Sequence, residues 1–206
     1  MSSRLTMEGQ RPPEPNRIEE YCIEIEKALD NGLLYPALAL SLSLPDICVS
    51  LHLPPYRSTW RTHYIRWCRR YVTVVKTRRR RGTEFRATHV YALRCAFLHN
   101  GTTELQKRQD RTRGVLGTIQ LVWTRPKPNG YMILGFYTKQ SRRERQVHVQ
   151  MDVEMLCNTL MRGARTWMTE TAGNRNVQRN LPRLVGIRRR IEEAPESMVG
   201  RLSRPA

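Results

Sequence analysis

Apolar residues recur at helical spacing from the start of the foldable chain. Ile18, Cys22, Ile25 and Leu29 stand at i, i+4, i+7 and i+11 with acidic residues between them, which predicts an amphipathic helix with one buried stripe. Asn16 stands where an N-cap belongs, and Asp30-Asn31-Gly32 supplies the stop. The next segment has almost no polar face. Pro36 suits a first helical turn, and Leu38, Ala39, Leu40, Leu42 and Leu44 make this helix apolar nearly all round, predicting a place at the centre of a bundle. Pro45-Asp46 punctuates it, and residues 47–53 resume a helical turn. Two prolines mark residues 52–58 as a loop, and Ser58 is an N-cap candidate for a third helix. There Trp60, Tyr64, Trp67 and Tyr71 form a stripe whose spacing reads as core, opposite a face of Arg61, Arg66, Arg69 and Arg70. A fourth helix is expected over 84–99, closed by Asn100-Gly101.

The period then changes. Val115, Ile119, Leu121, Val122 and Trp123 form a β-type run, and Lys127-Pro128-Asn129-Gly130 carries the Asn-Gly hairpin dipeptide. Residues 131–138 read as the returning strand and 146–150 alternate like a third. Asp152 caps a last long helix lined by Met155, Leu156, Leu160 and Trp167. The expected fold is mainly α: a four-to-five-helix bundle with a small antiparallel β-hairpin or three-strand insertion, about 114–150, before the last helix. Residues 1–16 read as a flexible tail, 17–173 as one helical domain, and 174–206 as a loosely held basic tail.

Charge narrows the function classes. Residues 1–50 hold four Lys/Arg against eight Asp/Glu, so a formal charge of +18 over 206 residues places +22 on residues 51–206. So large an excess costs stability by self-repulsion, and a polyanionic partner relieves it; nucleic acid comes first, an acidic protein second and an anionic membrane third. Arg78-Arg79-Arg80-Arg81 followed by Gly82 is a run of like charges in a predicted loop, suited to phosphate contact. Five cysteines without a CxxC pair argue against a disulfide framework or a zinc site, and each reads as a small buried hydrophobe. The N-terminus lacks the apolar centre of a signal peptide, and the apolar run 33–44 is interrupted and too short to span a bilayer. A cytoplasmic protein with no metal, cofactor or membrane partner is expected.

The segment YALRCAFLHNG, residues 91–101, carries the candidate chemistry. Arg94 lies in an apolar run and needs compensation, for which Asp46 or Glu26 are candidates. His99 exchanges protons near neutral pH and sits at a helix end. Five positions apart, the two are about 140° apart around an ideal helix. A site made from both therefore needs a distorted helix end or two copies of the chain. Together they suit metal-independent RNA cleavage, with His99 moving the 2′-hydroxyl or 5′-oxygen proton and Arg94 steadying the phosphate. A purely structural role is the competing reading, in which Arg94 neutralises a carboxylate and His99 caps carbonyls. His89 reads as a surface or packing residue.

RCAFLH, residues 94–99, resembles the Arg-x4-6-His motif of HEPN-domain proteins, set at the end of a core helix of a bundle. The resemblance covers roughly 17–101 and 152–170. It implies a metal-independent ribonuclease of toxin–antitoxin or anti-phage type, a homodimer whose two motifs build one site, and Arg94 and His99 as the catalytic pair. Arg61, Arg66, Arg69, Arg70 and Arg78–Arg81 would then guide RNA, and an acidic antitoxin-like protein is a further expected partner. The chain departs from the family in one respect: Cys95 follows the arginine where the family often has Asn, Asp or His. Some HEPN proteins bind nucleic acid or proteins without cutting, so a non-catalytic binding or adaptor protein is the alternative.

Overall fold

A computed structural model describes residues 17–54, 61–72, 78–79, 83–104, 116–123, 134–140 and 145–185. Six helices dominate these residues: α1 (Arg17–Asp30), α2 (Leu34–His52), α3 (Arg61–Tyr71), α4 (Ala87–Asn100), α5 (Val153–Glu170) and α6 (Arg175–Asn180). Ile18, Cys22, Ile25 and Leu29 of α1 are all buried, as their spacing requires. Gly32 adopts a left-handed φ of +70°. It lets Gly32 N–H reach the Leu29 carbonyl at 3.0 Å and Leu33 N–H reach that of Ala28 at 2.8 Å, closing the helix in a Schellman motif. Asn16, the expected N-cap, lies outside the described residues, as do Ser58 and Trp60.

Helix α2 packs against each of the other five helices, the position its all-round apolar surface demands. It does not stop at Pro45, contrary to the sequence expectation, but runs unbroken for 19 residues. Pro45 removes the bond that the Ser41 carbonyl would receive. Neighbouring groups hold the helix together: Ser41 Oγ donates to the Ala37 carbonyl at 2.7 Å and Tyr64 Oη to that of Leu42 at 3.0 Å. This continuity also corrects the reading of the apolar run as too short to cross a membrane, because α2 meets that length and composition. Half of its most apolar stretch is buried inside the protein, as in the central helix of a bundle.

Tyr64 and Trp67 of α3 are buried, so the aromatic stripe is core. Helix α4 starts at Ala87, later than expected. Thr83–Glu84 instead forms a strand, β2, pairing antiparallel with β1 (Arg78–Arg79). Arg78 and Arg79, expected in a loop, thus have strand backbone; Arg80 and Arg81 lie outside the described residues. Buried Phe85 anchors the entry to α4, and the Arg86 N–H donates to His89 Nδ1 at 2.9 Å. His89 is 3% exposed, a packing and capping residue.

The remaining strands, β3 (Leu116–Val122), β4 (Leu134–Gln140) and β5 (Arg145–Asp152), make a mixed sheet in the order β3-β5-β4. β3 runs parallel to β5, and β4 is antiparallel to β5. The expected hairpin between β3 and β4 across Asn129-Gly130 does not form, and those turn residues lie outside the described set. β5 takes the centre because it leads directly into the core. Met151 and Ile119 are fully buried, and the last strand residue, Asp152, caps α5 by accepting from the Met155 N–H at 2.8 Å. Met155, Leu156, Leu160 and Trp167 are buried along α5, as read.

The helical body continues past Gly173, where the sequence analysis ends it. Asn174 caps α6, and Asn180 Nδ2 donates to the Leu51 and Leu53 carbonyls at 3.0 Å each. Those are orphan acceptors at the C-terminus of α2, so α6 closes the end of the central helix.

At Gly163, α5 packs directly on α3. A Cβ there would lie 3.0 Å from the Tyr71 carbonyl oxygen and 3.1 Å from the Trp67 ring. Alanine ordinarily favours a helix over glycine by about 1 kcal/mol. Here the backbone oxygen cannot yield cheaply, so Gly163→Ala is expected to destabilise by about 1–3 kcal/mol. Urea unfolding checks this, and a stabilised variant would show that the helices separate without cost.

Candidate functional site

Arg94 and His99 meet within one chain. Arg94 Nη1 lies 2.8 Å from His99 Nε2, although the two residues stand about 140° apart around α4. Neither a distorted helix nor a second copy is needed for the contact. The long arginine side chain covers the axial rise of about 7.5 Å between them and curls round the helix end. That end is sharp: Gly101, with φ +63°, donates its N–H to the Phe97 carbonyl at 3.1 Å in the left-handed cap expected of Asn-Gly. His99 occupies the last turn and is exposed.

Asp46 holds the other side of the guanidinium. Its Oδ2 accepts from Arg94 Nε at 3.0 Å and Nη2 at 2.9 Å, and both side chains are 23% exposed. Of the two carboxylates the sequence offered, Asp46 is the partner. Glu26 instead joins Glu19 around Arg165, at 2.9 and 2.6 Å. The result is a line of three groups, Asp46–Arg94–His99, spanning α2 and α4. A guanidinium has only donors, so the close contact to His99 Nε2 makes that nitrogen the acceptor and leaves the imidazole proton on Nδ1. The arrangement therefore directs Nε2 of His99 at the Arg94 guanidinium.

Burial works against the Arg94 charge, but the Asp46 carboxylate and the Cys95 sulfur outweigh it and raise its pKa. Burial likewise pushes the Asp46 carboxyl above its ordinary value, with Arg94 pulling the other way. Tyr91 completes the surroundings. Its pKa is raised by burial and by a hydrogen bond with Cys95, and its ring meets Tyr64 edge-on at 5.4 Å. Asp46 was visible in the sequence as an acid in an apolar run. Cys95 stood out in the sequence only as the residue after Arg94, and the part of Tyr91 had no signal beyond lying one turn before it.

The arginines of α3 divide. Arg61 lies with its Cζ 5.8 Å from the Tyr91 ring centroid, beside the Arg94 site. Arg66, Arg69 and Arg70 are exposed further along the helix, and Arg70 is bonded to Glu170 at 2.7 Å. No side-chain placement is described for Arg78 and Arg79. Among the described residues, no three His, Cys, Asp or Glu side chains cluster as metal ligands. Comparisons with protein-family models, curated proteins and solved structures find no match for this chain.

A carboxyl whose folded-state pKa is raised adds stability below its ordinary value of about 3.9, and that stability is lost as pH rises through the folded-state value. Wild type is therefore expected to lose stability relative to Asp46→Asn between pH 4 and pH 7. At pH 7, Asp46→Leu should cost about 1–3 kcal/mol, because Arg94 is left half-buried without its carboxylate. Urea titrations at both pH values decide the matter. A wild type that gains on Asp46→Asn as pH rises would show that the ion pair itself outweighs desolvation.

Proposed function

We propose that this chain is a metal-independent endoribonuclease of HEPN type, acting as a cytoplasmic homodimer in a toxin or anti-phage role. The observation that supports it best is the 2.8 Å contact between Arg94 and His99, with Asp46 securing the arginine from behind. In this reading the RNA phosphate draws Arg94 from His99 Nε2. The freed nitrogen takes the proton of the neighbouring ribose 2′-hydroxyl. The 2′-oxygen bonds to phosphorus, the bond to the 5′-oxygen breaks, and the imidazolium of His99, in this copy or the second, returns a proton to that oxygen. Arg94 stabilises the charge that builds on the phosphate. Arg61, beside Tyr91, would guide the strand toward this point, Arg66 and Arg69 would extend the basic surface along α3, and the Arg78–Arg81 run would add its charge. An acidic antitoxin-like protein would bind the same charge.

A non-catalytic nucleic-acid-binding or adaptor role is the second reading. It is favoured by Cys95, which places sulfur beside Arg94 where a polar helper is common in the family. Labelled RNA in EDTA separates the two. Cleavage to cyclic-phosphate ends is expected from wild type, with a loss of at least about 100-fold in His99→Ala and RNA affinity within about twofold. Binding without cleavage would leave the adaptor role, and cleavage persisting in His99→Ala would remove His99 from the mechanism.

A further inference from the structure

A cleft of about 480 Å³ opens between the C-terminal ends of α2 and α5 and one side of α3 from His63 to Tyr71. Trp67, Trp167 and Val49 are its apolar lining, and His52, His63 and Arg66 also line it. One wall is internally closed: Glu170 accepts from Arg70 at 2.7 Å and from Tyr71 Oη at 2.8 Å. The Tyr71 pKa is pushed up to about 12 by burial and by that bond, so the hydroxyl stays a donor and Glu170 is occupied. The Arg66 guanidinium is therefore not cancelled by Glu170. Arg66 has no ion pair or hydrogen bond among the described residues. Trp67 is 4% exposed, and its Nε1–H finds no acceptor among the described residues, although a buried donor is normally met.

Indole rings beside a guanidinium and imidazoles suit a ligand with a flat ring and an anionic group. The volume falls within the usual range for a small-ligand site. Nucleobases stack on aromatic and arginine planes, and phosphate accepts from arginine with charge assistance. The geometry points to this cleft as a binding site for a nucleotide unit, either a free nucleoside monophosphate or one residue of an RNA strand held at a distance from Arg94 and His99. The base sits in the apolar part of the cleft, where Trp67 and Trp167, 4% and 3% exposed, show only a little of their rings beside Val49 and Leu53, and the phosphate meets Arg66 at the rim. The inference rests on the nucleic-acid reading above for the class of ligand, and not on the cleavage chemistry of His99.

The test compares Arg66→Glu with Arg69→Glu in the full chain. Both residues are exposed on α3 and both substitutions change the charge equally, but Arg69 does not line the cleft. The probes are AMP by calorimetry, a labelled single-stranded RNA octamer by anisotropy, and a labelled oligoglutamate peptide. Arg66→Glu is expected to weaken nucleotide binding about tenfold, and Arg69→Glu to weaken only the RNA, in a salt-dependent way. AMP binding lost in Arg66→Glu supports a mononucleotide site. RNA binding lost selectively in Arg66→Glu, with AMP silent, supports a subsite on the strand. Equal effects of the two substitutions on every probe overturn the proposal in favour of surface charge, and peptide binding without nucleotide binding overturns it in favour of an acidic protein. RNA cleavage, scored separately on wild type, can fail while the AMP arm succeeds, and the reverse.

Discussion

A helix that is apolar on every side must be enclosed on every side, and α2 imposes that condition on the whole molecule. Every other helix touches it. Each polar group it carries inward then has to be met by a neighbour, because a buried donor or acceptor left alone costs more than a made bond returns. Tyr64 donates to its Leu42 carbonyl, Asn180 to its last carbonyls, and Arg94 to its Asp46. These three contacts come from α3, α6 and α4, so the polar exceptions on one helix fix where three others lie. The candidate site is one of those exceptions. Arg94 is drawn to its position by a structural need, and that need leaves it beside His99.

What could be read in the residues follows from how local each signal is. The α1 stripe, the Gly101 stop and the Asp152 cap depend on groups within a turn of one another, and each lies where its spacing places it. Pro45 misled because its local cost is one lost helix bond, which the packing of the five other helices around α2 outweighs. The Asn-Gly dipeptide misled in a similar way: the gain from burying Met151 next to the start of α5 put β5 in the middle of the sheet. The residues past Gly173 looked like a tail because their apolar content is low. Their anchor is hydrogen bonding to helix-end carbonyls, which leaves little trace in composition.

The site divides along the same line. That Arg94 needed an acid was legible, since a guanidinium among apolar residues is not left unpaired, and Asp46 is the acid it finds. That Arg94 and His99 touch was not legible from angular position, because a wheel projection places Cβ atoms and ignores reach. A short side chain at 94 would have respected the 140° separation. Arginine does not, and the sharp left-handed cap at Gly101 ends α4 just after His99.

The same contact sets a condition on any chemistry here. With Arg94 donating to His99 Nε2, that nitrogen is occupied. An anion that attracts the guanidinium performs two acts at once: it binds, and it frees the base. Asp46 matters to both, since a carboxylate behind the arginine keeps it from leaving the helix end altogether while it changes partner. In the nuclease reading proposed above, an arriving phosphate would free the His99 nitrogen, and without it Arg94 and His99 satisfy one another.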